Sequence, residues 1–201
     1  MTSTRDRLLT EGMRLFGERG YAATSVAQIE AAAGLSPGSG SLYKHFRSKE
    51  ELLTAGMNRL LAGGDELADQ LTTRAPQSPA EQLAAVVTAG LRRLDEDRDV
   101  SRLLFRGLES FPELLQRFGT EEIGRFHAEA VAMLADLADD AAGTTGTTDW
   151  EAVAVVLQGA VVHYWLMTDL FGAHPSGVGE DRFVKAAADL LSGFLGSEGR
   201  S

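Results

Sequence analysis

Leu8, Leu9, Met13, Leu15 and Phe16 recur at the three-to-four-residue interval that gathers side chains on one face of an α-helix, and the stripe stops at Gly20. Alternating apolar and polar runs of the kind that make half-buried strands are missing, while Leu and Ala return at helical spacing behind Ser, Thr, Asp and Pro. The pattern predicts an all-α chain. Ser25 with Gln28 is a capping box that opens a short second helix over Val26 to Ala33, closed by Gly34, and Ser36 followed by Pro37 opens a third. Ser48 with Glu51 opens a longer helix that Leu52, Leu53, Leu60, Leu61, Leu67 and Leu71 carry to Thr72. Ala75 to Ser78 is a linker. Ser78, Pro79 and Glu81 then start a helix to Asp95, and further helices are expected near 99–109, 112–117, 120–141, 149–171 and 180–195. Gly143 to Thr148 contains only Gly and Thr and is a loop.

Composition narrows the class. The chain has 201 residues, 44% hydrophobic and 24% charged, which is enough apolar material to build one large core or two smaller ones. Having no cysteine, it has no disulfides, thiolate zinc sites, iron–sulfur clusters or cysteine nucleophile. Arg5, Asp6, Arg7 and Glu11 interrupt the start of the chain, so no export signal is expected there. The longest uncharged stretch, Ala152 to Thr168, includes Gln158 and His163 and is shorter than the roughly 18 to 20 residues of a bilayer span. It is expected to be a buried helix, with no membrane partner and a cytoplasmic location. The net charge of −10 speaks against a polyanion as partner. Its distribution reverses that reading, because residues 1–50 carry seven Lys/Arg against five Asp/Glu while the rest of the chain sums to −12.

The basic end carries the candidate chemistry. A helix, a tight turn and a second helix form the geometry of a DNA reader, one helix crossing the backbone while the other enters the major groove. Across Pro37-Gly38-Ser39-Gly40-Ser41-Leu42-Tyr43-Lys44-His45-Phe46 the side chains are small and polar, so the main chain can approach bases and the serine hydroxyls can donate or accept at base edges. Tyr43, Lys44 and His45 can reach phosphates.

These residues resemble the TetR family of transcriptional repressors. The resemblance is carried by Leu15-Phe16-Gly17-Glu18-Arg19-Gly20-Tyr21, Thr24-Ser25-Val26, Ile29, Ala33-Gly34-Leu35-Ser36, Gly38, Leu42-Tyr43-Lys44-His45-Phe46 and Ser48-Lys49-Glu50-Glu51-Leu52, and it covers residues 5 to 55. It implies that Thr24 or Ser25 binds a phosphate at the start of helix two, that Tyr43 and Lys49 bind phosphates flanking the groove, that Ser39, Gly40 and Ser41 face bases, and that Arg5 adds a backbone contact. Lys49 also has a physical reason, since a cation beside a helix N-terminus is poorly placed for that helix but well placed for a phosphate. Two departures stand out. Tyr43 lies nine positions beyond Gly34 where the family commonly has seven, so two residues are added within Pro37 to Ser41. Glu30 stands where the family usually has alanine, and is expected to turn to solvent or find a cation.

Other chemistry has weaker footing. Gly34-Leu35-Ser36-Pro37-Gly38 matches the G-x-S-x-G nucleophile elbow, but an elbow needs a preceding strand, and Ser36 serves better as an N-cap before Pro37. Gly38-Ser39-Gly40 is too short for a dinucleotide or Walker loop, so no cofactor is expected. The Asp95, Asp97, Asp99 spacing imitates a calcium loop, but Val100 takes the glycine position and Arg106 that of the bidentate glutamate. Histidines 45, 127, 163 and 174 show no i, i+4 pair, so no metal site is expected. Titratable groups are scattered, and no catalytic residue or enzyme activity is expected.

The resemblance divides the chain into a DNA-binding domain over 1–48 and an effector-binding and dimerisation domain over 49–201, in which the last two long helices, Trp150 to Phe171 and Glu180 to Leu195, pair with their copies. Ala152, Val155, Val156, Gly159, Ala160 and His163 put small and branched residues at helical spacing, and mid-helix Gly159, costing about 1 kcal/mol relative to alanine, suggests a close crossing. His163 is expected as a hydrogen-bonded core or interface histidine, or as a ligand contact. A pocket would be lined by Phe105, Leu108, Phe111, Phe126, His127, Met133, His163, Trp165 and Met167, residue types that fill a core equally well. The expected function is a homodimeric repressor that binds a palindromic operator in double-stranded DNA and is released by a small, partly apolar effector. The alternative is a regulator independent of ligand, or controlled by a protein partner, whose body only dimerises.

Overall fold

The computed structural model describes residues 3–62, 78–106, 110–142 and 148–197. Among them all regular structure is helical: α1 (Thr4–Arg19), α2 (Val26–Ala32), a 3-10 turn (Leu42–Lys44), α3 (Lys49–Ala62), α4 (Pro79–Glu96), α5 (Arg98–Arg106), α6 (Pro112–Arg117), a π-helical stretch (Phe118–Ile123), α7 (Gly124–Ala142), α8 (Trp150–Phe171) and α9 (Glu180–Ser197). The expected extension of α3 to Thr72, residues 75–77 of the linker and residues 143–147 of the Gly/Thr loop lie outside the described residues.

The helix starts are set by local hydrogen bonds. Ser3 Oγ accepts the Asp6 N–H at 3.1 Å and caps α1. At α2 the Ser25 N–H donates to Gln28 Oε1 (2.8 Å) and the Gln28 N–H donates back to Ser25 Oγ (3.3 Å), so two otherwise orphaned donors are satisfied reciprocally. The same box recurs at α4 between Ser78 and Glu81, while Asp149 caps α8 through the Ala152 N–H. At α3 only half the box forms: Ser48 Oγ accepts from the Glu51 N–H, but the Glu51 carboxylate turns to the Arg47 N–H.

The described chain packs as two compact units, the first built on α1–α3, α5 and α6 and the second on α4 and α7–α9. The core of the first gathers Leu8, Phe16, Ile29, Leu42, Phe46, Leu52 and Leu53 with Val100 and Leu103 of α5 and Phe118. At about 1.5–3 kcal/mol for each large side chain buried, this cluster holds the short α2 in place, which its own hydrogen bonds could not. Gly17 lets α1 lie directly on the α5 backbone, since a Cβ there would fall 2.5 Å from the Asp99 carbonyl oxygen. In the second unit Leu83, Leu134, Leu137 and Ala154 form one cluster, and Val87, Leu157, Val161, Tyr164 and Trp165 another. The Tyr164 ring stacks between Phe183 and His174 (centroids 4.2 and 5.2 Å), and its hydroxyl donates to the Val178 carbonyl at 3.1 Å.

Two expectations change. The third helix expected from Ser36 is absent: residues 36–41 form turns and bends, followed only by the 3-10 turn. Gly38 and Gly40 take φ of +73° and +71°, which a right-handed helix cannot accommodate, and both lie where the longer spacing adds residues. Helix α8, expected to be buried, is buried along one face only. Val155 and Val156 are 60% and 67% exposed, and Ala152, Gly159 and His163 lie on the same open stripe. By length and hydropathy α8 does pass as a membrane span, contrary to the shorter stretch read from the sequence, yet its inner face packs on α4 and α7 as a bundle helix does. Among the described residues a Cβ at Gly159 meets nothing within 4 Å, so none of them makes a close crossing at that position.

Candidate nucleic-acid interface

The entrance to α2 is held from two sides. Thr24 is buried, its hydroxyl 2.9 Å from the Gly20 carbonyl oxygen and 3.2 Å from that of Leu15, so it ties the turn to the end of α1 and is withdrawn from the surface. Of the two residues expected to offer a phosphate contact, Thr24 or Ser25, it is Ser25, exposed at the helix cap, that solvent reaches. Lys49 also has a different setting from the one expected. Its Nζ donates to the carbonyls of Tyr21 (2.8 Å) and Thr24 (2.7 Å) and lies 4.1 Å from the centre of the Tyr21 ring. Burial pushes its ammonium below the usual lysine range; burial, and then the charge of Glu50, push the Tyr21 phenol above its own. With two of three donors committed, Lys49 is first a strut between α3 and the turn before α2. Nothing in the sequence pattern marked Tyr21 as its partner, since the two are joined only by the fold.

Beyond α2 the chain loops out and returns. Ser39 and Ser41 share a hydrogen between hydroxyls 2.7 Å apart, and Ser39 Oγ also accepts the Ser41 N–H at 3.3 Å. Next on the chain, Tyr43 is 57% exposed, and Lys44 and His45 are exposed beside it, while Leu42 and Phe46 are buried and pin the turn to the core. Ser39, Gly40, Ser41, Tyr43, Lys44 and His45 thus form one continuous surface segment. The Arg5 guanidinium sits 4.9 Å from the centre of the Phe46 ring, at the edge of that segment. Glu30 does not turn to solvent, and among the described residues it pairs with no cation. It is fully buried, and its Oε1 accepts the Leu42 N–H at 3.0 Å. Its place on the Ile29 and Ala33 side of a short alanine-rich helix is the one sequence signal that could have flagged an internal role.

The sequence pattern of bacterial regulatory proteins of the tetR family matches residues 8–55, the span that builds this surface. Residues 8–55 form a tetR-family N-terminal domain. Over 97 residues it is 35% identical to the HTH-type transcriptional repressor KstR2 of Mycolicibacterium smegmatis, a match covering 46% of this chain and 44% of the relative. The chain spans less than half the length of the curated relatives it matches. The whole fold is shared with a TetR-like transcriptional regulator from Rhodococcus sp. RHA1 (TM-score 0.70, 19% identity, 96% of each chain). It is shared as well with AibR in complex with isovaleryl coenzyme A and operator DNA (TM-score 0.69, 19% identity, 94% of this chain and 98% of that one).

The residues expected to line an effector pocket belong to both compact units. Leu108 lies outside the described residues. Phe105, in the first unit, is 53% exposed, and Phe111 packs edge-on against Tyr21 (centroids 4.6 Å) as part of that unit's core. In the second unit Trp165 is buried among Leu157, Val161 and Tyr164, and Met133 packs on the Leu83 and Leu134 cluster. His127 Nδ1 makes a long contact to Gln158 Oε1 (3.4 Å), with the half-buried Phe126 beside it. Met167 is half-buried. His163 is exposed on the open stripe of α8, its ring 6.0 Å from that of His174, and is not a core residue. A groove between α4 and α9 is lined by small and charged side chains of both signs, among them Ala80, Glu81, Asp181, Lys185 and Ala188.

Proposed function

We propose that this chain is a DNA-binding transcriptional regulator, a repressor that binds a palindromic operator as a homodimer in the cytoplasm and is released by a small, partly apolar effector. The observation that carries the reading is the exposed segment from Ser39 to His45, mounted on the buried Leu42 and Phe46 inside a tetR-type N-terminal unit. Ser39, Gly40 and Ser41 face base edges, where hydroxyls both donate and accept; Ser25, Tyr43, Lys44 and His45 hold phosphates and set the register. Lys49 directs its remaining donor to the backbone. In this reading residues 1–48 do the binding and residues 49–201 supply effector response and dimerisation.

A second copy is the occupant we assign to the open stripe of α8. Val155, Val156 and Gly159 there, and Leu190 of α9 at 74% exposure, leave apolar surface in water that a lone copy would not favour. A two-fold dimer presents two reading segments about 34–36 Å apart, one turn of duplex. Release requires that the effector bind the DNA-incompetent arrangement more tightly; equal affinity for both would shift nothing. The AibR neighbour, solved with an acyl-coenzyme A and operator DNA together, supports acyl thioesters as the first compounds to try. The second reading, a regulator without an effector, is favoured by one observation: the expected pocket residues are divided between core and surface.

Selection of duplexes from a random pool at moderate salt tests the proposal. An enriched palindrome with half-sites one turn apart supports it, and retention without sequence preference overturns it. Adding acyl-coenzyme A thioesters and other apolar acids to the enriched duplex separates the two readings, since only the first expects release.

A further inference from the structure

Both ends of the exposed loop are fastened to one residue. The main-chain carbonyl of Glu30 accepts the Leu35 N–H at 2.8 Å, and its side-chain Oε1 accepts the Leu42 N–H at 3.0 Å. Between these anchors Ser36 to Ser41 bulge outward as an Ω-type loop, braced internally by the Ser39 N–H donating to the Ser36 carbonyl (3.2 Å) and by the paired serine hydroxyls. Glu30 itself is fully buried, and its second oxygen, Oε2, has no hydrogen-bond partner among the described residues.

A buried carboxylate with one unpartnered oxygen is a costly group to keep in a helix that is otherwise alanine and isoleucine. Packing alone gives no reason for it, because α2 buries only Ile29 beside it. What the carboxylate does is satisfy the Leu42 N–H. That group opens the 3-10 turn and has no i−3 carbonyl bonded to it, whereas Tyr43 and Lys44 bond back to Gly40 and Ser41. An α-helix in this segment would have satisfied the donor from its own backbone. The left-handed Gly38 and Gly40 rule that helix out, and Glu30 supplies the missing acceptor from outside.

We infer that Glu30 is the positioning residue of the reading loop: its carboxylate fixes where Ser39 and Ser41 stand relative to Tyr43 and Lys44, and so determines which bases are read without touching them. The inference rests on the DNA-binding reading above. It separates two properties usually lost together, because the base-facing groups lie within the loop between the Leu35 and Leu42 anchors, whereas the phosphate-holding Ser25, Tyr43, Lys44 and His45 lie outside it.

The test measures, for the full chain, affinity for the enriched duplex and for a scrambled duplex of equal length, with Glu30→Ala, Glu30→Gln, Ser39→Ala and Glu30→Ala/Ser39→Ala. Glu30→Ala is expected to reduce the ratio of the two affinities by about tenfold or more while changing scrambled-duplex binding by less than about threefold. Glu30→Gln keeps an acceptor for Leu42 and is expected to keep the ratio. Ser39→Ala is expected to alter the preferred sequence in the unsubstituted background and to have no further effect with alanine at position 30, the non-additivity that marks action through the loop. Amide exchange in the unsubstituted chain adds a readout independent of variant folding, with the Leu42 amide expected to be protected and the exposed Gly38 amide not. An unchanged ratio in folded Glu30→Ala, an equal loss on both duplexes, or rapid exchange at Leu42 overturns the inference and leaves the DNA reading standing. If the unsubstituted chain retains no duplex, both fall.

Discussion

Two carbonyl acceptors give Lys49 a structural role beside the one its charge suggests. Lys49→Ala leaves the Tyr21 and Thr24 carbonyls without their shared donor, so we expect a loss of about 1–2 kcal/mol in urea unfolding as well as weaker binding to every duplex. Lys44, exposed and close to no such partner in the turn, behaves differently. Lys44→Ala should leave stability within about 0.5 kcal/mol and lower the slope of log affinity against log salt by about 1, since one fewer counterion is released. Asp99 supplies a pH dependence. Burial, and then the charge of Glu18, hold its carboxyl above the usual range, against the opposing pull of Arg102, Arg14 and Arg98. A carboxyl whose folded value is raised favours the folded state below its unfolded value of about 4 and loses that advantage as the pH climbs through the folded value. Unfolding midpoints measured over this window should therefore decline less steeply for Asp99→Asn than for the parent chain. The polar surface residues were legible in the sequence because small and charged side chains beside a capping box have no place in a core. The carbonyl contacts of Thr24 and Lys49 were not legible, because a hydroxyl and an ammonium look the same in a sequence whether they meet a phosphate or a carbonyl.

Helices whose starts are written in adjacent residues were read correctly. Ser25 with Gln28 and Ser78 with Glu81 need no tertiary information, and the α2 and α4 boundaries follow from them. The segment after Ser36 carries the same opening signal, Ser then Pro, but two glycines in left-handed conformation downstream overrule it. Local propensity lost to backbone conformation there, and one side chain twelve positions away on the chain closes the gap. The π-helical stretch at Phe118–Ile123 had no signal in the spacing of apolar residues. Closeness of elements is testable at Gly17. Gly17→Ala drives a Cβ to 2.5 Å from the Asp99 carbonyl oxygen, and backbone cannot swing aside as a side chain can, so we expect a loss of about 2–3 kcal/mol and separation of α1 from α5. Equal unfolding midpoints for the two proteins would contradict the contact.

The half-buried state of α8 has its own test. Val156→Glu places a charge on the open stripe, where the single chain has room for it, so the helix content should persist while any dimer seen by sedimentation dissociates. A sedimentation profile unchanged by the substitution would move the interface elsewhere. The all-helical class was legible from periodicity alone, whereas the grouping of helices was not, because packing partners are chosen by shape and not by order along the chain. That grouping has a consequence for inheritance. The chain completes part of its N-terminal unit, leaves to build α4, and comes back to contribute Val100, Leu103 and Phe118 to the first core. A recombination that traded only the opening residues for those of a relative would bring in a core whose other wall had evolved against a different partner. On the proposed DNA reading, new sequence preferences in such a chain should therefore arise by point changes in the loop more readily than by exchange of the whole opening segment, and a grafted segment would have to carry α5 and α6 with it.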